Sequence, residues 1–291
     1  MSVAVVGASG AIGRAAVRAF ARADPDVRAV VGRAEIAPEL REAGARVAIG
    51  DLDDDEDDAL PASVFGADSV CLLAGGPDDD PTEPTNVAAV ARILGVARRA
   101  GVRRVLFVSD PGADAVSPNP HLRAEAAAEE AIRRSGLEFA IVRTSCVYGV
   151  GGGAWFELVV AGATQLPPVV VGDPSRIVAP VFAGDVADVL LAADDRAEPI
   201  GGTWAVQGPD RVTIGGLVAA LSGTDAEPRA VGADPAQVER LLGRPVSEAA
   251  VEVLTGSWPA DAPDAAIEFG VRLTRLAEGV RRIAAAARLE G

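Results

Sequence analysis

Val3-Ala4-Val5-Val6-Gly7-Ala8-Ser9-Gly10-Ala11-Ile12-Gly13 is the stretch on which the fold turns. Four consecutive apolar residues suit a short strand buried on both faces. Glycines at every third position follow, and Ile12–Ala23 then carries apolar side chains at helical period. In such a strand–turn–helix the first two glycines let the chain turn sharply and bring bare amides up to a pyrophosphate. The third permits close packing of helix on sheet. The positive end of the helix adds a favourable field for an anion. Gly7, Ser9, Gly10, Ala11 and Ile12 are therefore the expected phosphate-contacting residues.

Outward from this stretch, apolar runs of strand length alternate with helical ones. Val3–Val6, Val27–Val31, Arg46–Ile49, Ser69–Leu73, Arg104–Val108 and Glu138–Val142 read as strands, and Ile12–Ala23, Pro38–Ala43, Thr85–Ala100 and Leu122–Ser135 as helices. Ala100-Gly101 and Ser135-Gly136 are helix stops. The pattern predicts an α/β fold, a doubly wound parallel Rossmann sheet. After Gly149 the texture becomes rich in glycine and proline. Further segments are expected at Arg176–Val181, Asp185–Ala193, Thr203–Val206, Ile214–Leu221 and Leu273–Arg288. The expected division is a dinucleotide-binding domain over 1–149 and, over 150–291, a mixed segment that completes the sheet and forms a smaller α+β substrate cap.

The bulk numbers exclude several classes. With 49% hydrophobic and 24% charged residues, 291 residues can bury a large core. A net charge of −15 repels nucleic-acid phosphates and anionic membranes, so neither is an expected partner. No apolar run reaches the length of a membrane span, and the first residues enter a strand without a basic leader; a cytoplasmic location is expected. Cys71 and Cys146 are isolated, and with a single histidine they offer no metal-ligand spacing, so no metal site is expected. All 27 basic residues are arginine, which rules out lysine chemistry. The acidic runs Asp51–Asp58 and Asp78–Asp80 lack calcium-loop punctuation and read as solvated segments. No Gly-x-Ser-x-Gly elbow supports a nucleophilic hydrolase.

Where a carboxylate at the end of the second strand would hold a free ribose hydroxyl, the sequence has Val31-Gly32-Arg33. Arginine there pairs with a 2′-phosphate, and Arg14 is a second candidate. NADP is the expected cofactor, with NAD possible because Glu35 lies close by.

Gly7–Gly13, Val31-Gly32-Arg33, Gly50-Asp51-Leu52, Asn86–Gly101 leading into Val105–Ser109, Ser135-Gly136-Leu137, Arg143 and Asp185-Val186-Ala187 together resemble the NmrA-like group of atypical short-chain dehydrogenases, in the same order over about two-thirds of the chain. The resemblance implies a Rossmann fold with a small C-terminal substrate domain. It also implies that Asp51 and Leu52 lie near the adenine and that Leu73, Ala74, Gly75 and Gly76 line the cofactor. The group holds reductases of quinones, azo compounds and related conjugated substrates, and also redox sensors that bind cofactor without turnover.

The Tyr-x-x-x-Lys pair of the parent superfamily is absent: the only tyrosine is Tyr148, and there is no lysine. In the register of the resemblance, the tyrosine position falls on His121 and the lysine position on Glu125, one helical turn apart. A carboxylate beside an imidazole favours its protonated form, and such a histidine can donate a proton near neutral pH. Its plainer alternative is a solvated or packed residue near a helix start. Ser109 is a candidate for polarising a substrate carbonyl, or equally a helix-start hydroxyl. Tyr148 is expected to face the nicotinamide region as a second proton donor. Trp155 and Phe156 are candidates for an apolar lid. The expected activity is an NADP-dependent reductase that passes hydride to a conjugated or carbonyl-containing small molecule such as a quinone or enone. The alternative is a non-catalytic sensor of NAD(P) redox state that contacts a protein partner. A sugar-nucleotide epimerase ranks last, because it needs the missing pair.

Overall fold

The computed structural model describes residues 2–24, 26–50, 58–73, 87–144, 146–258 and 260–287. Six strands alternate with helices: β1 (Val3–Val6), α1 (Ala11–Ala23), β2 (Val27–Val31), α2 (Ala37–Glu42), β3 (Arg46–Ile49), α3 (Ala59–Val64), β4 (Ser69–Leu72), α4 (Val87–Ala100), β5 (Arg104–Ser109), α5 (Pro120–Arg133) and β6 (Glu138–Thr144). A seventh strand, Gly201–Val206, lies parallel beside β6. The order across the sheet is Gly201–Val206, β6, β5, β4, β1, β2, β3. All seven run parallel, so helices must cover both faces and the central strands must be apolar throughout. Period-two alternation divides the core: Val3 and Val5 pack with Val17 and Phe20 of α1, while Ala4 and Val6 pack with Ile93 of α4 and Ile132 of α5.

Chain order reverses at β1, which has β2 on one side and β4 on the other. The carboxyl ends of β1 and β4 therefore flank the crevice in which open α/β sheets bind ligands.

Much of the chain from residue 146 onward builds over that edge, while Gly201–Val206 completes the sheet. Helices α6 (Ala154–Ala163), α7 (Ala183–Asp194), α8 (Ile214–Ser222), α9 (Pro235–Leu242), α10 (Glu248–Thr255), α11 (Ala265–Phe269) and α12 (Leu276–Ala287) are joined by short strand pairs. Of these, α7 and α11 pack with α1 in the first core, on the face of the sheet, and a third core, with Trp155, Leu158, Val171, Leu217, Val251 and Leu254, holds the rest together. The expected single segment Arg176–Val181 is instead two short strands, Ile177–Val178 and Val181–Phe182. Helix α6 is apolar nearly all round and lacks the amphipathic stripe by which a surface helix is found. Among the described residues, no helix is long and apolar enough to cross a membrane.

Candidate functional site

The turn after β1 has the geometry its glycines require. Gly7 sits at φ 82°, a left-handed conformation, and its N–H donates to the carbonyl of Val30 at 3.1 Å. At Gly13 an added Cβ would meet the backbone of Ala8 at 2.5–2.8 Å, so only glycine lets α1 press against the turn. At Gly10 the same atom would meet nothing within 4 Å. That open space borders the main cleft, which Gly7, Gly10, Ala11, Ile12 and Gly13 line. Gly10 is also the N-cap of α1, with no side-chain cap and no acidic residue in the first turn. The first N–H groups of a 13-residue helix therefore face the cleft uncapped by any side chain, which suits a pyrophosphate.

Arg14 is held away from such a ligand. It ion-pairs with Glu39 at 2.5 Å, shares that carboxylate with Arg18, and donates from Nε to the Ser9 carbonyl at 3.0 Å. Arg14 thus braces the back of the turn rather than its mouth. Arg33 is different: it is exposed at the end of β2 and has no ion pair among the described residues. Leu73, just past β4, lines the cleft. Asp51, Leu52, Ala74 and Gly75 lie outside the described residues, as does Gly76.

The cleft runs on from the glycine turn past the ends of β5 and β6 to the cap, enclosing about 1100 Å³ counting its open mouth. Ser109, Asp110, Glu125 and Thr144 form its sheet-side wall, and Trp155, Val253, Leu254 and Trp258 its apolar cap-side wall.

His121 does not touch the cleft directly. It lies in the first turn of α5, where the Asn119 side chain accepts from its backbone N–H. Asn119 Nδ2 in turn donates to the Ala249 carbonyl and to Glu252, which pins the start of α5 to α10. His121 Nε2 lies 2.6 Å from Asp110 Oδ2, a charge-assisted contact. The expected partner was Glu125, one turn along the helix. The hydrogen-bonded one is Asp110, because the loop after β5 folds back over the helix start. Glu125 stays close, with polar atoms of all three side chains within 4.8 Å of one another. Burial opposes the imidazolium, but the hydrogen bond and charge of Asp110, with the charge of Glu125, outweigh it and raise the His121 pKa above 6.5.

Ser109 lines the cleft, yet its hydroxyl donates to Glu129 Oε1 at 2.8 Å. Glu129 is buried between Arg143 and Arg133, so Ser109 is tied into a structural ion-pair network. Thr144 is the hydroxyl left without a partner among the described residues. It ends β6, lines the cleft and is 4% exposed.

Tyr148, expected to face the nicotinamide region, does not line the cleft. It is fully buried in the cap core between Phe156 and Phe182, at centroid distances of 5.9 and 5.6 Å. Its hydroxyl, closely approached by Gly279 of α12, has no hydrogen-bond partner among the described residues. Burial, with the charges of Asp185 and Asp210, pushes its pKa well above the ordinary tyrosine value. The two lid candidates part company here: Trp155 joins the cleft wall, and Phe156 packs at a tilt against Tyr148. Asp110 and Thr144 were missed in the sequence. The only available signal for Asp110 was its place directly after Ser109 at a strand end.

Residues 7–154, half of the chain, match a family described as NAD(P)H-binding. Among curated proteins, the (4-alkanoyl-5-oxo-2,5-dihydrofuran-3-yl)methyl phosphate reductase of Streptomyces griseus subsp. griseus is 28% identical over 93% of this chain and 86% of its own length. The NAD(P)H azoreductase of Xenophilus azovorans is 30% identical, over 48% of this chain and 46% of that protein. The triphenylmethane reductase of Citrobacter sp., solved with NADP(H), shares the fold at a TM-score of 0.75, covering 97% of this chain and all of that one at 22% identity. On the family match, which contains the whole glycine turn, the chain belongs to the NAD(P)H-binding family, as its resemblance to the NmrA-like atypical short-chain dehydrogenases implied.

Proposed function

We propose that this protein is an NADPH-dependent reductase of small conjugated or carbonyl-containing molecules. One observation carries the reading: a single cleft joins the glycine turn to a polar sheet-side wall and an apolar cap-side wall. The relatives act, by their names, on an oxo-dihydrofuran, an azo compound and a triphenylmethane, all unsaturated acceptors.

When bound, a reduced nicotinamide supplies the hydride. Gly7, Gly10 and the first amides of α1 would hold its pyrophosphate, and Arg33 would pair with a 2′-phosphate, which would favour NADPH over NADH. Trp155, Val253, Leu254 and Trp258, from the half of the chain after residue 150, cover the acceptor and exclude water. Thr144 Oγ1 donates to the acceptor oxygen as negative charge develops there. His121, protonated and held against Asp110, is the proton store one hydrogen bond behind the wall. Hydride addition to the acceptor leaves an oxyanion, and the proton held between His121 and Asp110 neutralises it.

The test is loss of reduced-cofactor absorbance on adding quinone, enone and azo acceptors, with NADPH and NADH compared in wild type and Arg33→Ala. Turnover with an NADPH preference that Arg33→Ala abolishes is the expected result. Tight NADPH binding without oxidation by any acceptor class would overturn the reductase reading in favour of a cofactor-sensing protein.

A further inference from the structure

Partly or fully buried arginines in this protein are accompanied. Arg14 pairs with Glu39, Arg28 with Asp26, Arg104 with Glu138 and Arg143 with Glu129. Such pairing is the rule, because a guanidinium cannot shed its charge and loses hydration on burial.

Arg176 departs from it. The residue precedes the short strand Ile177–Val178 in the cap and is half-buried. Its Nη1 donates to the Gly256 carbonyl at 2.8 Å, while its Nε is buried with no hydrogen-bond partner among the described residues. The nearby carboxylate of Asp173 is turned to Ser175, accepting from its N–H and hydroxyl at 2.8 Å. Among the described residues, Arg176 has no ion pair. Burial pulls its pKa below the ordinary arginine value.

The surroundings make this isolation meaningful. Arg176 lines a small, partly open chamber whose other walls include Leu158, Val171, Ile214 and Val218. Trp155 and Leu254 belong both to this chamber and to the main cleft. Trp155 and Leu254 thus stand between a wall that carries Asp110 and Glu125 and a chamber that carries Arg176. The sheet-side carboxylates repel an anionic group, and the cap-side guanidinium attracts one.

We propose that Arg176 is an anion anchor and that the molecule bound under the cap carries a carboxylate or phosphate at the end remote from the reacting centre. The guanidinium receives that group, the apolar body lies against Trp155 and Leu254, and the conjugated end points to the sheet. The inference rests on the reductase reading only for the orientation of the reacting end; the anion site itself is independent of turnover.

The experiment is calorimetric titration of the whole protein, saturated with NADPH, with phenyl phosphate, benzoate and the neutral benzamide. At least one anion is expected to bind roughly 10-fold or more tightly than benzamide. Phenyl phosphate and benzoate then distinguish a phosphate from a carboxylate site. Arg176→Met and Arg176→Gln should each erase the preference and leave NADPH affinity unchanged, with folding checked by circular dichroism. Equal binding of the three probes to wild type, or an anion preference that survives either folded variant, overturns the proposal. NADPH oxidation by neutral quinones with no anion preference would remove the anchor and keep the reductase. An Arg176-dependent preference in a protein that oxidises no NADPH would do the reverse.

Discussion

Alanine at Gly10 and alanine at Gly13 should fail in opposite ways, although the two residues lie one helical turn apart. A Cβ at Gly13 would stand 2.5 Å from Ala8 Cα and 2.6 Å from Ala8 C, where ordinary contact is 3.4–4 Å. Turn and helix must separate by roughly 1 Å, an overpacking that costs about 1–3 kcal/mol, or a fall of roughly 2–12 °C in Tm for a chain of this size. NADPH affinity should fall with it, because the amides that meet the pyrophosphate move. At Gly10, φ is −78° and nothing lies within 4 Å of the new Cβ, so Tm should stay within about 1 °C. That Cβ would instead enter the cleft beside the turn, where the reading puts the pyrophosphate. Losing close approach at one phosphate should raise the NADPH Kd on the order of 10–100-fold, equivalent to about 1.4–2.8 kcal/mol. Differential scanning calorimetry and fluorescence titration separate the two variants. Unchanged NADPH binding in Gly10→Ala would refute the assignment of this turn as the phosphate cradle, whatever Gly13→Ala does.

Tyr148→Phe should keep full reductase activity and gain up to about 1 kcal/mol of stability, since it deletes a buried hydroxyl with no hydrogen-bond partner among the described residues; a 100-fold activity loss would restore Tyr148 as a proton donor. Thr144→Val should leave Tm and NADPH affinity unchanged and lower kcat/KM roughly 10-fold or more, with Thr144→Ser recovering most of it; equal kcat/KM in all three proteins would exclude the hydroxyl from catalysis. The His121 pKa is raised in the folded state, so its contribution to stability is fully present below 6.5 and is lost as pH rises through the raised folded value. Both kcat/KM and denaturant stability should fall across that window in wild type, and neither should do so in His121→Asn.

The order in which physical causes act explains how much of this was legible beforehand. Parallel strands buried on both faces must be continuous apolar runs, so β1 and β2 stand out in the sequence with their observed limits, and the edge strand β3 does so by its short run Val47–Ile49 after Arg46. The glycine turn is legible for a related reason: a left-handed φ at Gly7 and a backbone contact at Gly13 leave no other residue type. Helix α5 begins two residues earlier than its apolar period indicates, because Asn119 caps it and Pro120 occupies its first position. Tyr148 was misread because its direction depends on packing rather than spacing. The two-residue strand Val147–Tyr148 pairs with Val181–Phe182, and the ring then enters the pocket between Phe156 and Phe182. The lone state of Arg176 was equally invisible, since an absent counter-charge leaves no mark in a sequence.

The exchange of Tyr-x-x-x-Lys for His121-x-x-x-Glu125 has an electrostatic consequence that the geometry carries further. A lysine beside a tyrosine lowers the phenol pKa and leaves a fixed positive charge at the reacting centre. If His121 is the donor, as proposed, the donor is itself the cation, and Asp110 and Glu125 raise its pKa instead of lowering it. Under the proposed reading, the centre is an imidazolium beside two carboxylates before proton delivery and a neutral imidazole beside the same two after it, so its net negative charge grows by one. Such a site favours acceptors that are neutral at the reacting end and discharges a product oxyanion only once it is protonated. Any anionic group on the substrate must then be received elsewhere, and Arg176, at the far end of the same apolar wall, is the partly buried cation placed to do so.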